Sequence, residues 1–164
     1  MNRPDPIKAE LVEKKYSESI MSGYVSNIIY FEKPDIIAAI EEHLKSIKFL
    51  DGLEFNELSE VKITGATVGS VEYIQDHHCF AVTGSDKFIY FYDQTKFSLQ
   101  RRFQMPETQN FLTYYAATDT LFTANVAGKI YAWNMEKIYG DYFMDQIKQK
   151  KETYRMVLVE DFPL

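Results

Sequence analysis

At 164 residues the chain is long enough for one ordinary domain with a real core, and an apolar content of 46% argues against disorder. Eighteen Lys and Arg against 24 Asp and Glu leave a formal charge of −6, the wrong sign for the basic footprint of a nucleic-acid binder. No run approaches the ~18 apolar residues that span a bilayer. The start, Met1 to Ile7, lacks the apolar stretch of a signal peptide, and the single cysteine, Cys79, excludes an intramolecular disulfide framework. The expected setting is a reducing, intracellular one, away from membranes.

In chain order, residues 1–13 read as an N-terminal extension. The first strand expected is Lys14–Ile20, followed by Ile29 and Phe31, whose spacing of two puts both side chains on one face of a pleated strand. Residues 34–50 are ambiguous. Ile36, Ile40, Leu44 and Ile47 fall on one face of a helix, and Pro34 with Asp35 resembles a helix start. The matching positions further along carry Gly84 and Gly128 in strand-rich runs that a helix would not choose, so two strands are predicted here. Next come Leu58–Ile63, Val71 with Tyr73, Phe80 with Val82, and Ile89 with Phe91, with the turn Gly84 to Lys87 between the last two. The pattern then repeats in Leu99–Gln104, Leu112 with Tyr114, and the runs on either side of Ala127-Gly128-Lys129. A charged insert follows over 135–154.

Written under one another without a gap, three units share seven apolar columns. The clearest are Ala38/Phe80/Leu121, Phe31/Tyr73/Tyr114, Ile47/Ile89/Ile130 and Leu50/Tyr92/Trp133. Each unit closes on an apolar–acidic or apolar–amide pair: Leu50-Asp51, Tyr92-Asp93 and Trp133-Asn134, spaced 42 and then 41 residues apart. A period near ~40–45 residues with such a closing pair is the mark of a β-propeller blade array. The expected fold is therefore all-β, a partial β-propeller of three four-stranded units over 14–51, 56–93 and 97–134. Each unit takes the strand before it as its fourth. Residues 155–164 resemble Val25–Ile36 and are read as the start of a fourth unit.

The stretches Phe80 to Asp93 and Leu121 to Asn134 resemble the core of a WD-repeat, and the likeness covers about residues 14–164. The family implies four-stranded blades packed radially into a ring. It also implies a polar network of a leading His, a Ser or Thr in the second strand, an Asp in the tight turn and a Trp in the third strand. Unit two keeps Thr83 or Ser85 together with Asp86 but has Tyr92 for the Trp; unit three keeps Trp133 but has Ala127 at the turn; no unit has the leading His. Three blades and a fragment fall short of the ~4–8 that close a ring. Either the chain is the N-terminal piece of a longer protein or other chains supply the remaining blades.

Chemistry is hard to find in this pattern. Gly84 to Lys87 is no phosphate loop, and Gly-x-Ser-x-Gly does not occur. His77-His78-Cys79, with His43 elsewhere, suggests a metal, but adjacent residues on an extended chain point to opposite faces. This run reads as a polar turn leading into the strand of Phe80 and Val82, with Cys79 a small buried hydrophobe. Glu41-Glu42 and Glu160-Asp161 are only sequence neighbours, and Lys148, Lys150 and Lys151 read as a solvated loop. No enzyme activity and no cofactor is expected.

The resemblance instead implies a scaffold that binds other proteins within a large complex covering the open propeller. His77, Asp86, Lys87 and Ala127-Gly128 are expected on exposed loops. Arg101 and Arg102 are the expected contacts to a partner's carboxylates. Divergent WD-repeat proteins of ciliary and cytoskeletal assemblies are similar in composition, which gives the cytoplasm, the cytoskeleton or the ciliary axoneme as the expected location. The alternative is a propeller that holds a small ligand or metal in its central channel.

Overall fold

The structure, a computed structural model, describes residues 23–41, 45–139, 154–155 and 158–162. The expected strand over Lys14–Ile20, the extension before it, His43, and Lys148, Lys150 and Lys151 lie outside these residues. Sheet one is an antiparallel meander of β1 (Val25–Phe31), β2 (Ile36–Glu41), β3 (Ser46–Asp51) and β4 (Glu57–Lys62). Sheet two repeats it with β5 (Val68–Ile74), β6 (Cys79–Gly84), β7 (Phe88–Asp93) and β8 (Leu99–Gln104). Sheet three has β9 (Phe111–Tyr115), β10 (Thr120–Ala124) and β11 (Ile130–Asn134), and a short helix, α1 (Met135–Tyr139), follows β11 directly. Later, β12 (Tyr154–Arg155) runs parallel to β8, and β13 (Leu158–Phe162) completes sheet three against β11. The chain is thus all-β with one short helix among the described residues, and 36–51 forms two strands. No helix among those residues is long and apolar enough to cross a membrane.

Two expectations are corrected by the strand pairing. The strand at Leu58–Ile63 pairs with β3, and that at Leu99–Gln104 with β7, so each closes the sheet before it instead of opening the next. Sequence columns cannot tell these cases apart, because a strand between two units has the same spacing to both. The expected start of a fourth unit at 155–164 likewise supplies β13, the last strand of sheet three.

The gapless register also slips in the first unit. Ile37 stands opposite Leu50 as Phe80 stands opposite Tyr92 and Leu121 opposite Trp133, so Ile37 and not Ala38 is the counterpart of Phe80. By the same pairing Tyr30, not Phe31, matches Tyr73 and Tyr114. The cause is one extra residue between the second and third strands: four residues separate Glu41 from Ser46, and three separate Gly84 from Phe88. A slip of one exchanges the two faces of a strand, so the corrected register decides what each sheet buries.

The sheets pack face to face in chain order. One core joins Phe31, Ile40, Ile47 and Phe49 of sheet one to Val71, Phe80, Val82 and Tyr92 of sheet two. The Phe49 and Phe80 rings lie 4.7 Å apart across that junction. A second core joins Ile74, Cys79, Ala81, Phe91 and Phe103 of sheet two to Leu121, Tyr131 and Trp133 of sheet three, with Met135 and Ile138 of α1. Sheet two is therefore covered on both sides, and every residue of β6 is buried. Burying one such aromatic side chain contributes roughly 1.5–3 kcal/mol. A partly exposed ion pair such as Lys48–Glu57, at 2.8 Å, adds about 0–1 kcal/mol. Stacking of the sheets, not surface charge, holds the array together.

Candidate functional site

The closing residues of the units are built into turns. The Asp51 carboxylate accepts the backbone N–H groups of Glu54 and Asn56 at 2.6 and 2.7 Å. Asp93 accepts those of Thr95 and Lys96 at 2.8 and 2.7 Å, and the Gln100 amide at 3.1 Å. These donated bonds hold both carboxyls below the usual range. Asn134 does the same work at the start of α1, its Oδ1 accepting from Lys137 N–H at 2.9 Å, as a helix N-cap does. Leu50 is buried next to Asp51. None of these side chains is presented as a reactive group.

Asp86 and Tyr92 lie within sheet two. Asp86 accepts from the Tyr90 hydroxyl and from Phe88 N–H. The Tyr90 and Tyr92 rings stack with centroids 6.4 Å apart. Burial, and then the nearby Asp86 carboxylate, push the Tyr92 hydroxyl up to about 12. Of the two hydroxyls left open by the sequence, Thr83 is the buried one and accepts Ser70 N–H at 2.8 Å, whereas Ser85 accepts Thr67 N–H at 2.9 Å. In sheet three the indole Nε1–H of Trp133 donates to Thr123 Oγ1 at 2.9 Å in the core. Sequence reasoning passed over Thr123; its placement ten residues before the only tryptophan, opposite Tyr131, was the available signal.

Arg101 and Arg102 do not form a joint anion fork. Consecutive strand residues point to opposite faces. Arg101 Nη1 donates to the carbonyl of Ile138 near the end of α1, which is an internal use. Arg102 is exposed and lies with its guanidinium 5.1 Å from the Phe88 ring centroid. Only Arg102 remains a candidate contact.

His77 and His78 belong to the polar turn foreseen between β5 and β6, and Cys79 is fully buried behind them. His77 is not displayed on a loop: its Nε2 sits 2.9 and 3.0 Å from the two oxygens of Asp119, in the matching turn of sheet three. The Tyr114 hydroxyl lies 2.8 Å from Asp119 and 2.9 Å from Asp76, one proton facing two carboxylates. Burial first, then these two carboxylates, raise the Tyr114 hydroxyl well above the ordinary tyrosine range, so it stays a donor. This cluster fastens sheet two to sheet three along one rim. Nothing in a period of two reveals it, since it forms only once consecutive sheets stack.

The same rim in sheet one has half of the fastening. Tyr30 donates to Asp35 at 2.9 Å, as Tyr114 does to Asp119, and both Asp residues have a left-handed backbone, at φ 63 and 48. Here Tyr30 is 56% exposed, and Ile28 beside it 66%. At the other end, the far face of sheet three exposes Phe111 at 62% and Tyr115 at 55%, above a groove of about 380 Å³ lined by Thr113, Phe122, Ala124 and Ile130. Contiguous apolar surface of this kind marks interaction sites. Among the described residues no group of three or more His, Cys, Asp or Glu side chains is placed to hold a metal. No protein-family model matches the chain, and no curated protein matches it.

Proposed function

We propose that the chain is a non-catalytic scaffold of the WD-repeat kind, a partial β-propeller that works by binding other proteins inside a larger intracellular assembly. The observation that carries this reading is the repeated stacking of sheets, which ends on an apolar face of sheet three. That face uses the same positions by which sheet two binds sheet three: Phe122 stands where Ala81 does, Ala124 where Thr83 does, and Ile130 where Ile89 does. Among the described residues no further sheet covers this apolar face, which suits it to receive another body. The titratable groups already described are used in turns and seams, which fits a binding role better than catalysis. The proposed setting of such an assembly is the cytoplasm, at the cytoskeleton or the ciliary axoneme, a reading supported by the sequence resemblance alone.

The test is the native size of the protein in extracts of its own cells, by gel filtration with detection of the chain. It should elute in a complex far larger than 19.2 kDa. Phe111→Asp, a change at an exposed position, should release it. Elution of the unaltered protein as a free chain would overturn the reading.

A further inference from the structure

The rim cluster between sheets two and three is one proton short of its contacts. Three links join its four side chains: His77 to Asp119 at 2.9 Å, Tyr114 to Asp119 at 2.8 Å and Tyr114 to Asp76 at 2.9 Å. An ionised carboxylate only accepts, and a phenol carries a single proton. The Nε2–H of His77 serves the first link, and the Tyr114 proton serves one of the other two. The remaining link sets a phenol oxygen against a carboxylate oxygen with no proton between them. That repulsion is relieved when the two carboxylates hold one proton in common, as paired acids sharing a site do. The matching tyrosines of the other sheets have no such shortage. Tyr30 has its proton for a single partner, Asp35, at 2.9 Å, and Tyr73 donates to the neutral amide oxygen of Gln94.

We infer that this cluster is a proton-operated clasp: acidification places a third proton between Tyr114 and the carboxylates of Asp76 and Asp119, completes all three links and tightens the seam between sheets two and three. The proton has a way in, because Asp76 is exposed, while the side chains of His77 and Asp119 keep 17% and 27% of their surface open. Tyr114 does not give up its own proton, since burial and then the two carboxylates raise its hydroxyl well above the ordinary range. The other titratable groups on these elements have places of their own. Glu72 takes the Tyr73 N–H at 2.9 Å and borders the Tyr114 backbone, Tyr73 is bound to Gln94, and His78 and Tyr115 are exposed. In an unfolded chain isolated carboxyls are ionised above about pH 5. The folded chain then binds one proton more than the unfolded chain, so its stability rises as the pH falls. The clasp stands apart from the scaffold reading. It makes the firmness of one junction in the array depend on pH.

The experiment is urea unfolding of the purified full chain, followed by Trp133 fluorescence and circular dichroism, from about pH 8 down to about pH 5. Asp76→Asn, His77→Gln and Tyr114→Phe are measured beside the unaltered chain. Asp76→Asn puts an amide N–H permanently where the third proton is needed. The unaltered chain should therefore be less stable than Asp76→Asn at the alkaline end and draw level with it at the acid end. The ratio of their folding equilibrium constants should change about three- to tenfold over this range, the rim being partly exposed. His77→Gln keeps a donor towards Asp119 and should differ from the unaltered chain by a constant factor, while Tyr114→Phe should lose the response. A ratio between the unaltered chain and Asp76→Asn that does not move with pH overturns the inference. So does a response that persists in Asp76→Asn and vanishes in His77→Gln, which would place the proton on the imidazole. Asp76→Asn, at an exposed position, carries the test even where Tyr114→Phe is too unstable to refold.

Discussion

The bond from Trp133 to Thr123 shows how much one hydroxyl can decide in this core. Both groups are buried, so a lost partner would not be replaced by water. Thr123→Val keeps the shape and leaves the indole N–H without its acceptor, which should cost about 1–3 kcal/mol. Urea unfolding followed by the fluorescence of Trp133, the sole tryptophan, measures this directly. Tyr92 gives a second prediction. Its hydroxyl ionises near 10 in an unfolded chain, but only at about 12 in the folded one. Its contribution to stability is therefore complete below about pH 10 and is lost as the pH rises towards 12. Tyr92→Phe should lose less stability than the unaltered chain across that window in alkaline denaturation. At this scale the sequence was partly legible. Asp51, Asp93 and Trp133 stood out by period alone, whereas Thr123, Tyr114 and Asp119 did not, because their partners come from neighbouring strands or sheets.

Among the elements, α1 is the clearest departure from the repeat. In the first two sheets the closing Asp folds a turn into the fourth strand; in the third, Asn134 caps a helix instead. A helix of five residues leaves carbonyls without internal partners at its end. Arg101 meets one of them. Arg101→Met should therefore destabilise the protein by about 1 kcal/mol, while Arg102→Met at its exposed site should change stability by about 0.5 kcal/mol or less. Thermal melts of the two variants side by side would separate a structural arginine from a surface one. The strands themselves were legible, including the two over 36–51 that a helical pattern imitates. Their grouping was not. Only hydrogen-bond partners show that β4 and β8 close the sheets before them, and only the pairing of Ile37 with Leu50 shows that the first unit has slipped by one residue.

For the molecule as a whole, the stacking order predicts an uneven distribution of stability. Sheet two has both faces covered, while sheets one and three each have one face in a core. Backbone protection follows burial and local opening. Hydrogen exchange should therefore be slowest in β6 and β7 and faster in β1 and β9, whose side chains are largely exposed. Equal protection in all three sheets would mean that the array opens as a single unit.

The meander connectivity has a mechanical consequence. Strands β1 to β4 and β5 to β8 each pair in sequence order, only β12 and β13 return from later in the chain, and sheets meet through side chains. Tension applied through the chain would peel strands away one hydrogen-bonded pair after another, as a zipper opens, and not shear a whole sheet at once. The β1–β4 meander is one continuous stretch of about 40 residues, so its release would lengthen a pulled molecule by roughly 13–14 nm. The fold is firm against sideways pressure on its faces and yielding when drawn out along the chain.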